Sequence, residues 1–141
     1  MILQISSPEL TSLVKEKTGK DINFHIVDDH TINVGYNIIQ KVMFLGNVSK
    51  NVNLDIVIEK IMNTDLYLRY STKVFGGDAL VGILISALPL FANGDIVKKD
   101  NKGEIIVHLD KIEKIKDLIN KVNLDSIYFN SDNILIDFSL K

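Results

Sequence analysis

Along most of this chain the apolar positions recur every second residue, and near its middle that alternation stops. Ile22, Phe24 and Ile26 alternate with Asn23 and His25, and after Asp28-Asp29-His30 the pattern resumes at Ile32, Val34 and Tyr36. A period of two puts successive side chains on opposite faces of a strand. With a polar turn between the runs, the pattern predicts a hairpin. Val52, Leu54, Ile56 and Ile58 alternate with Asn53, Asp55 and Glu59. Beyond Asn63-Thr64-Asp65, Leu66, Leu68 and Tyr70 alternate with Tyr67, Arg69 and Ser71. These two runs predict an antiparallel pair with one apolar and one solvated face. The segment from Ile38 to Val48 is ambiguous: Val42-Met43-Phe44-Leu45 fits a strand or a short buried segment.

From Asp78 to Asn93 there is no charge between the two polar ends. A helix that is apolar all round is a buried helix, and this one is shorter than the roughly 20 residues a membrane span needs. Gly76-Gly77-Asp78 starts it and Pro89 bends or ends it. The faces of Val52–Ile58 and Leu66–Tyr70 are expected to cover it, meeting Leu80, Ile83, Leu84 and Leu88. Two smaller amphipathic helices complete the reading. Ser6-Ser7-Pro8-Glu9 has the form of a capping box, with proline suited to the first turn, and Gly19 ends that helix. Asp110 is placed to cap a second helix, with Ile112, Ile115, Leu118, Ile119 and Val122 on one face. Strands follow at Ile96–Lys98, Glu104–Leu109, Leu124–Phe129 and Ile134–Leu140. The first and last units share an αββ order; two ordinary units are the simpler account than a duplication.

Composition narrows the picture. At 141 residues the chain is expected to be one domain, 1–141, large enough to bury about 70% of its unfolded surface. A net charge of −2 supplies no global field toward nucleic acid. With no cysteine, disulfides, thiolate metal sites and thiol catalysis are excluded. Met1-Ile2-Leu3-Gln4-Ile5 lacks the basic start and long apolar run of a signal peptide. The expected location is the cytoplasm, or release without a general secretion signal.

Catalytic signatures are missing from the pattern. No serine sits in a nucleophile elbow, and Gly76-Gly77 lacks the Lys-Ser/Thr of a phosphate loop. Asp28-Asp29-His30 has hard-ligand character, but Asp-Asp at a hairpin tip is ordinary turn chemistry, and no spaced acidic ligands follow as in a calcium loop. His25 and His108 fall within strands and read as structural. Tyr67, Arg69 and Lys73 fall short of a basic stacking platform for nucleic acid. An enzyme stays open on the residues alone, although nothing positively supports one, and no cofactor or metal is expected. Two lysine groups remain: Lys98, Lys99 and Lys102 around a hairpin tip, and Lys15, Lys17 and Lys20 after the first helix. Surface lysines near an apolar chamber would attract anionic headgroups.

Val52-Asn-Leu-Asp-Ile-Val-Ile58, Leu66-Tyr-Leu-Arg-Tyr70, the Ala79 to Ala92 helix and the Ile134-Leu-Ile-Asp-Phe138 strand together resemble the tubular lipid-binding (TULIP) architecture, in which a twisted sheet curls around a helix. Length, composition and the absence of cysteine resemble the small single-domain member of the OrfX family of clostridial neurotoxin gene clusters. The resemblance implies a non-enzymatic accessory protein that binds phosphoinositide-type lipid and associates with larger proteins of the same cluster. No family binding residue transfers by position. The fold expected is α+β: a strongly twisted antiparallel sheet wrapped around one apolar helix, with two smaller helices. The expected lipid site joins Lys98, Lys99 and Lys102 to apolar Ile56, Ile58, Leu66, Leu68, Leu80, Ile83 and Leu84. The competing expectation is a scaffold or assembly subunit whose core is filled.

Overall fold

The computed structural model describes residues 1–86, 97–111 and 113–141. The chain begins with a strand, β1 (Ile2–Ser6), and passes directly into helix α1 (Ser7–Thr18). Ser6 caps it reciprocally. Its Oγ accepts the Glu9 N–H at 3.2 Å, and Glu9 Oε1 accepts the Ser6 N–H at 3.3 Å. Two of the helix's orphan donors are thereby satisfied. Gly19 ends α1 in the left-handed region at φ 71°, its N–H donating to Lys15 O at 2.8 Å.

The alternating runs become strands in the expected places. β2 (Ile22–Ile26) and β3 (Thr31–Val42) pair antiparallel, with Phe24 opposite Val34. β3 pairs in turn with β4 (Gly46–Met62), and β4 with β5 (Asp65–Tyr70). β6 (Val97–Lys99) and β7 (Glu104–His108) complete an antiparallel sheet of order β2-β3-β4-β5-β7-β6. β8 (Val122–Asn130) and β9 (Asn133–Leu140) join β1 in a second antiparallel sheet, of order β1-β9-β8. The class is α+β, and both sheets stay open. Helix α2 (Gly77–Ser86) follows β5, and α3 (Glu113–Lys121) precedes β8. Residues 87–93, the second half of the predicted apolar helix and Leu88 with it, lie outside the described residues, as do Ile96 and Ile112.

Two details around α3 differ from the sequence reading. Asp110 lies inside a 3₁₀ turn, Leu109–Lys111, rather than capping the helix. Val122, predicted on the helix face, is the first residue of β8 and is buried there. Its apolar side chain suits either element, so spacing alone could not assign it.

Two apolar clusters hold the domain together. In the first, Val34, Val52, Leu54 and Tyr70 from the large sheet pack with Leu80 and Val81 of α2. Leu80 and Val81 are each only 1% exposed, which is worth about 1.5–3 kcal/mol per side chain. Ile83 and Leu84 are half-buried against the same cluster. The second cluster joins Ile32 and Ile58 of the large sheet to Phe129 of the small one. At the same place the β2–β3 turn links the sheets through its backbone. Asp29 O accepts from Phe129 N of the small sheet, and His30 O accepts from Ile58 N within the large one, each at 2.8 Å.

The β3–β4 hairpin outruns its neighbours. β2 stops at the pair Ile22↔Tyr36, and β5 at Ile56↔Tyr70. The pairs from Asn37↔Asn51 to Val42↔Gly46 therefore have no third strand among the described residues. At about 3.3 Å per residue this two-stranded arm projects roughly 20 Å.

Candidate functional site

The tip of the β6–β7 hairpin is built from local turn chemistry. Asp100 Oδ1 accepts the backbone N–H of both Lys102 and Glu104 at 2.9 Å, and Asp100 N donates to Glu104 O at 3.1 Å. Those two N–H donors hold the Asp100 carboxyl below the ordinary 3.8. Gly103 follows at φ +94°, where a Cβ would lie 2.1 Å from Tyr70 O; its own carbonyl accepts the Tyr70 N–H at 2.9 Å. Only glycine fits both demands.

This turn sets out the three lysines predicted to hold a headgroup. Lys98 and Lys102 are exposed and make no ion pair among the described residues. Lys99 is engaged. Its Nζ lies 3.8 Å from Asp78 Oδ1, near the start of α2, and 5.7 Å from the centroid of the Tyr70 ring. Tyr70 is buried and donates its hydroxyl to Asp78 Oδ1 at 2.7 Å. Burial first, then the Asp78 hydrogen bond and charge, push the Tyr70 hydroxyl well above its ordinary 10. Lys99, Asp78 and Tyr70 thus tie the hairpin tip to the first turn of α2.

The apolar residues predicted to line a lipid chamber divide between the two clusters. Leu80, Ile83 and Leu84 belong to the first cluster, and Ile58 and Leu66 to the second. Ile56 and Leu68 touch both. Ile58 also lines a small surface groove with His30, Glu59 and Ile127. A larger groove of about 620 Å³ crosses the outer face of β2–β4, with Asn23, Asn33, Asn37 and Asn53 in its wall. It contains none of the predicted site residues.

The remaining candidates resolve as structural contacts. At the β2–β3 turn, Asp28 Oδ1 accepts the His30 N–H at 2.9 Å, and His30 Nδ1 lies 2.9 Å from Asp29 Oδ1. The His30 N–H bond holds the Asp28 carboxyl below 3.8. His108 Nδ1 lies 2.7 Å from Asp65 Oδ1, which places the proton on that nitrogen, and its Nε2 is buried without a partner among the described residues. Arg69 donates to Glu59 and Glu104; the Glu59 hydrogen bond raises its affinity for the proton. Among the described residues no three His, Asp or Glu side chains converge as metal ligands, and no helix is long and apolar enough to cross a membrane.

Sequence reasoning did not anticipate the apex of the β3–β4 arm. Met43, Phe44 and Leu45 form the turn between β3 and β4 and are 80%, 97% and 74% exposed; past Val42, which ends β3, both the strand and the buried-segment readings are thereby corrected. One signal was present: from Thr31 to Leu54 the chain has no acidic residue, and Lys41 and Lys50 are its only charges. No protein-family model matches the chain, and neither a curated protein nor a solved structure shows significant similarity to it.

Proposed function

We propose that this protein is a non-enzymatic binder of anionic, phosphate-bearing lipid. The observation that carries the reading is the gathering of lysines at one end of the large sheet. β2 and β6 are its opposite edges. On the β6 side, Gly103 meets Tyr70, which pairs with Ile56. On the β2 side, Ile22 pairs with Tyr36, which pairs with Val52. Lys98, Lys99 and Lys102 therefore stand at the same end as Lys15 and Lys17 in the last turn of α1 and Lys20 just after it, Lys15 being paired with Asp21 at 3.0 Å. Each lysine near an anionic surface is worth about 1 kcal/mol. A multiply phosphorylated headgroup of the phosphoinositide kind suits the β6–β7 tip, and the α1 lysines, near the opposite edge, would meet other headgroups of the same surface.

The resemblance to the TULIP architecture and to the OrfX family belongs to this proposal. In it the large sheet curls around α2, and the protein serves as an accessory to larger proteins of a toxin gene cluster. The packing of Leu80 and Val81 beneath Val52 and Leu54 supports the placement of α2 under the sheet. Flotation with phosphoinositide-containing vesicles tests the reading. Binding is expected at low salt and should weaken steeply as salt rises. Replacing Lys98, Lys99 and Lys102 with glutamine should remove roughly 2–3 kcal/mol, at least about thirtyfold in affinity, the lower figure applying if Lys99 stays with Asp78. Absence of flotation at low salt would refute it.

A second reading, a scaffold with a filled core, is favoured by one observation. Ile56, Leu66, Leu68, Leu80, Ile83 and Leu84 all pack against cluster residues. Native mass spectrometry of the purified protein separates the two, because a scaffold carries no co-purified lipid.

A further inference from the structure

We infer that Met43, Phe44 and Leu45, at the apex of the β3–β4 arm, form a membrane-inserting wedge, with the bilayer interface as its occupant and anionic lipid as its preferred composition. The inference rests on the lipid reading above and assigns the contact to residues outside the Lys98–Lys102 tip.

Three observations converge on the apex. The first is exposure: Met43, Phe44 and Leu45 are 80%, 97% and 74% exposed, and Ile39 on the same arm is 70% exposed. Consecutive apolar side chains at the end of a projecting arm have no cover from the described residues. The second is backbone conformation. Phe44 sits at φ 74°, a region costly for a bulky side chain. At the other tips the left-handed position is held by Asn63, Ser131 and Gly103. These residue types serve turns at little cost; Phe44 does not, so its ring is not there for the turn.

The third observation is charge. The arm carries Lys41 and Lys50 without any acidic residue, in a chain whose net charge is −2. An apolar tip with flanking lysines complements an apolar interior beneath a layer of phosphates. A protein groove would supply the apolar contact but has no general need for an acid-free arm. Lys50 also braces the arm, its Nζ lying 3.8 Å from the centroid of the exposed Phe75 ring. A bare two-stranded hairpin is marginal in water. The contact falls near the base of the arm, where Lys50 pairs with Ile38, at the same end that carries Lys98 and Lys102.

The chain contains no tryptophan, so Phe44→Trp introduces a single reporter at the apex. Its emission is expected to shift to the blue on adding vesicles of phosphatidylcholine with phosphatidylinositol phosphate, and to be quenched by brominated acyl chains in them. A combined Met43→Ser, Phe44→Ser, Leu45→Ser variant should melt no lower than the parent and bind those vesicles at least about tenfold more weakly. If the parent floats while the serine variant floats equally and the emission of the Phe44→Trp protein stays water-like, the wedge is refuted and the lysine reading stands. If the parent does not float and the emission is unshifted, both fail. A blue shift that grows with protein concentration without vesicles would place a second copy over the apex and also overturn the inference.

Discussion

Two hairpin tips at the same end of one sheet are made in opposite ways. The β6–β7 tip is closed by its own residues: an aspartate carboxylate gathers two backbone donors, and a glycine takes up a backbone position that no other residue tolerates. The β3–β4 tip has no such carboxylate. Of its two left-handed positions Gly46 takes one, at φ 73°, and Phe44 takes the other with its ring almost completely exposed. A tip of the first kind is explained by the stability of the fold. At the second tip no described residue covers the Phe44 ring, and the wedge proposed above would account for its place.

The largest test of this contrast is Gly103→Ala. The new Cβ would meet Tyr70 O at 2.1 Å, and backbone cannot yield as a flexible side chain can. A loss of about 2 kcal/mol, read as a lower urea midpoint, is expected; an unchanged midpoint would mean the tip is not fixed by its turn. Phe44→Asn should act in the opposite direction. Asparagine occupies the left-handed region at lower cost, so the domain should gain about 0.5–1 kcal/mol, a rise of a few degrees in Tm. A fall in Tm would show that the ring has a partner within the domain.

The smallest effect separates the tips by pH. Asp100 has its folded pKa held below 3.8 by the N–H groups of Glu104 and Lys102. A depressed carboxylate stabilises the folded state above its unfolded pKa, and that contribution disappears as pH falls through the folded value. Amide protection at Lys102 and Glu104 should therefore fade below about pH 4, and should do so less in Asp100→Asn. The β3–β4 tip has no acidic residue and should show no matching transition. Equal pH responses at both tips would remove the distinction.

How far the sequence disclosed this follows from which residues are buried on one side only. The Ser6–Glu9 capping box and the β2–β3 and β4–β5 hairpins were legible, because a half-buried strand enforces alternation and a helix start needs particular side chains. Ile38–Val48 stayed ambiguous because the arm leaves the sheet, and the constraint that writes a period-two pattern leaves with it. The lysine tip was found from composition, but its tie to Tyr70 and Asp78 depends on how α2 meets the sheet. The link between the sheets was invisible. It runs through the carbonyl of Asp29, and a backbone oxygen leaves no mark on residue type.

β1 was not foreseen either, and its pairing governs when the fold can be finished. Ile2 to Ser6 pair with Asp137 to Asn133, and the Met1 amino group donates to Phe138 O across 137 positions. Closing so distant a contact is slow compared with forming a neighbouring hairpin. During synthesis at the ribosome, β1 must wait for more than 120 further residues before its partner β9 emerges. Ile2 and Leu3, about half exposed even when paired, would spend that interval as an open edge, which is where aggregation begins. The small sheet is therefore expected to be the last part of the domain to assemble and the one most in need of a chaperone.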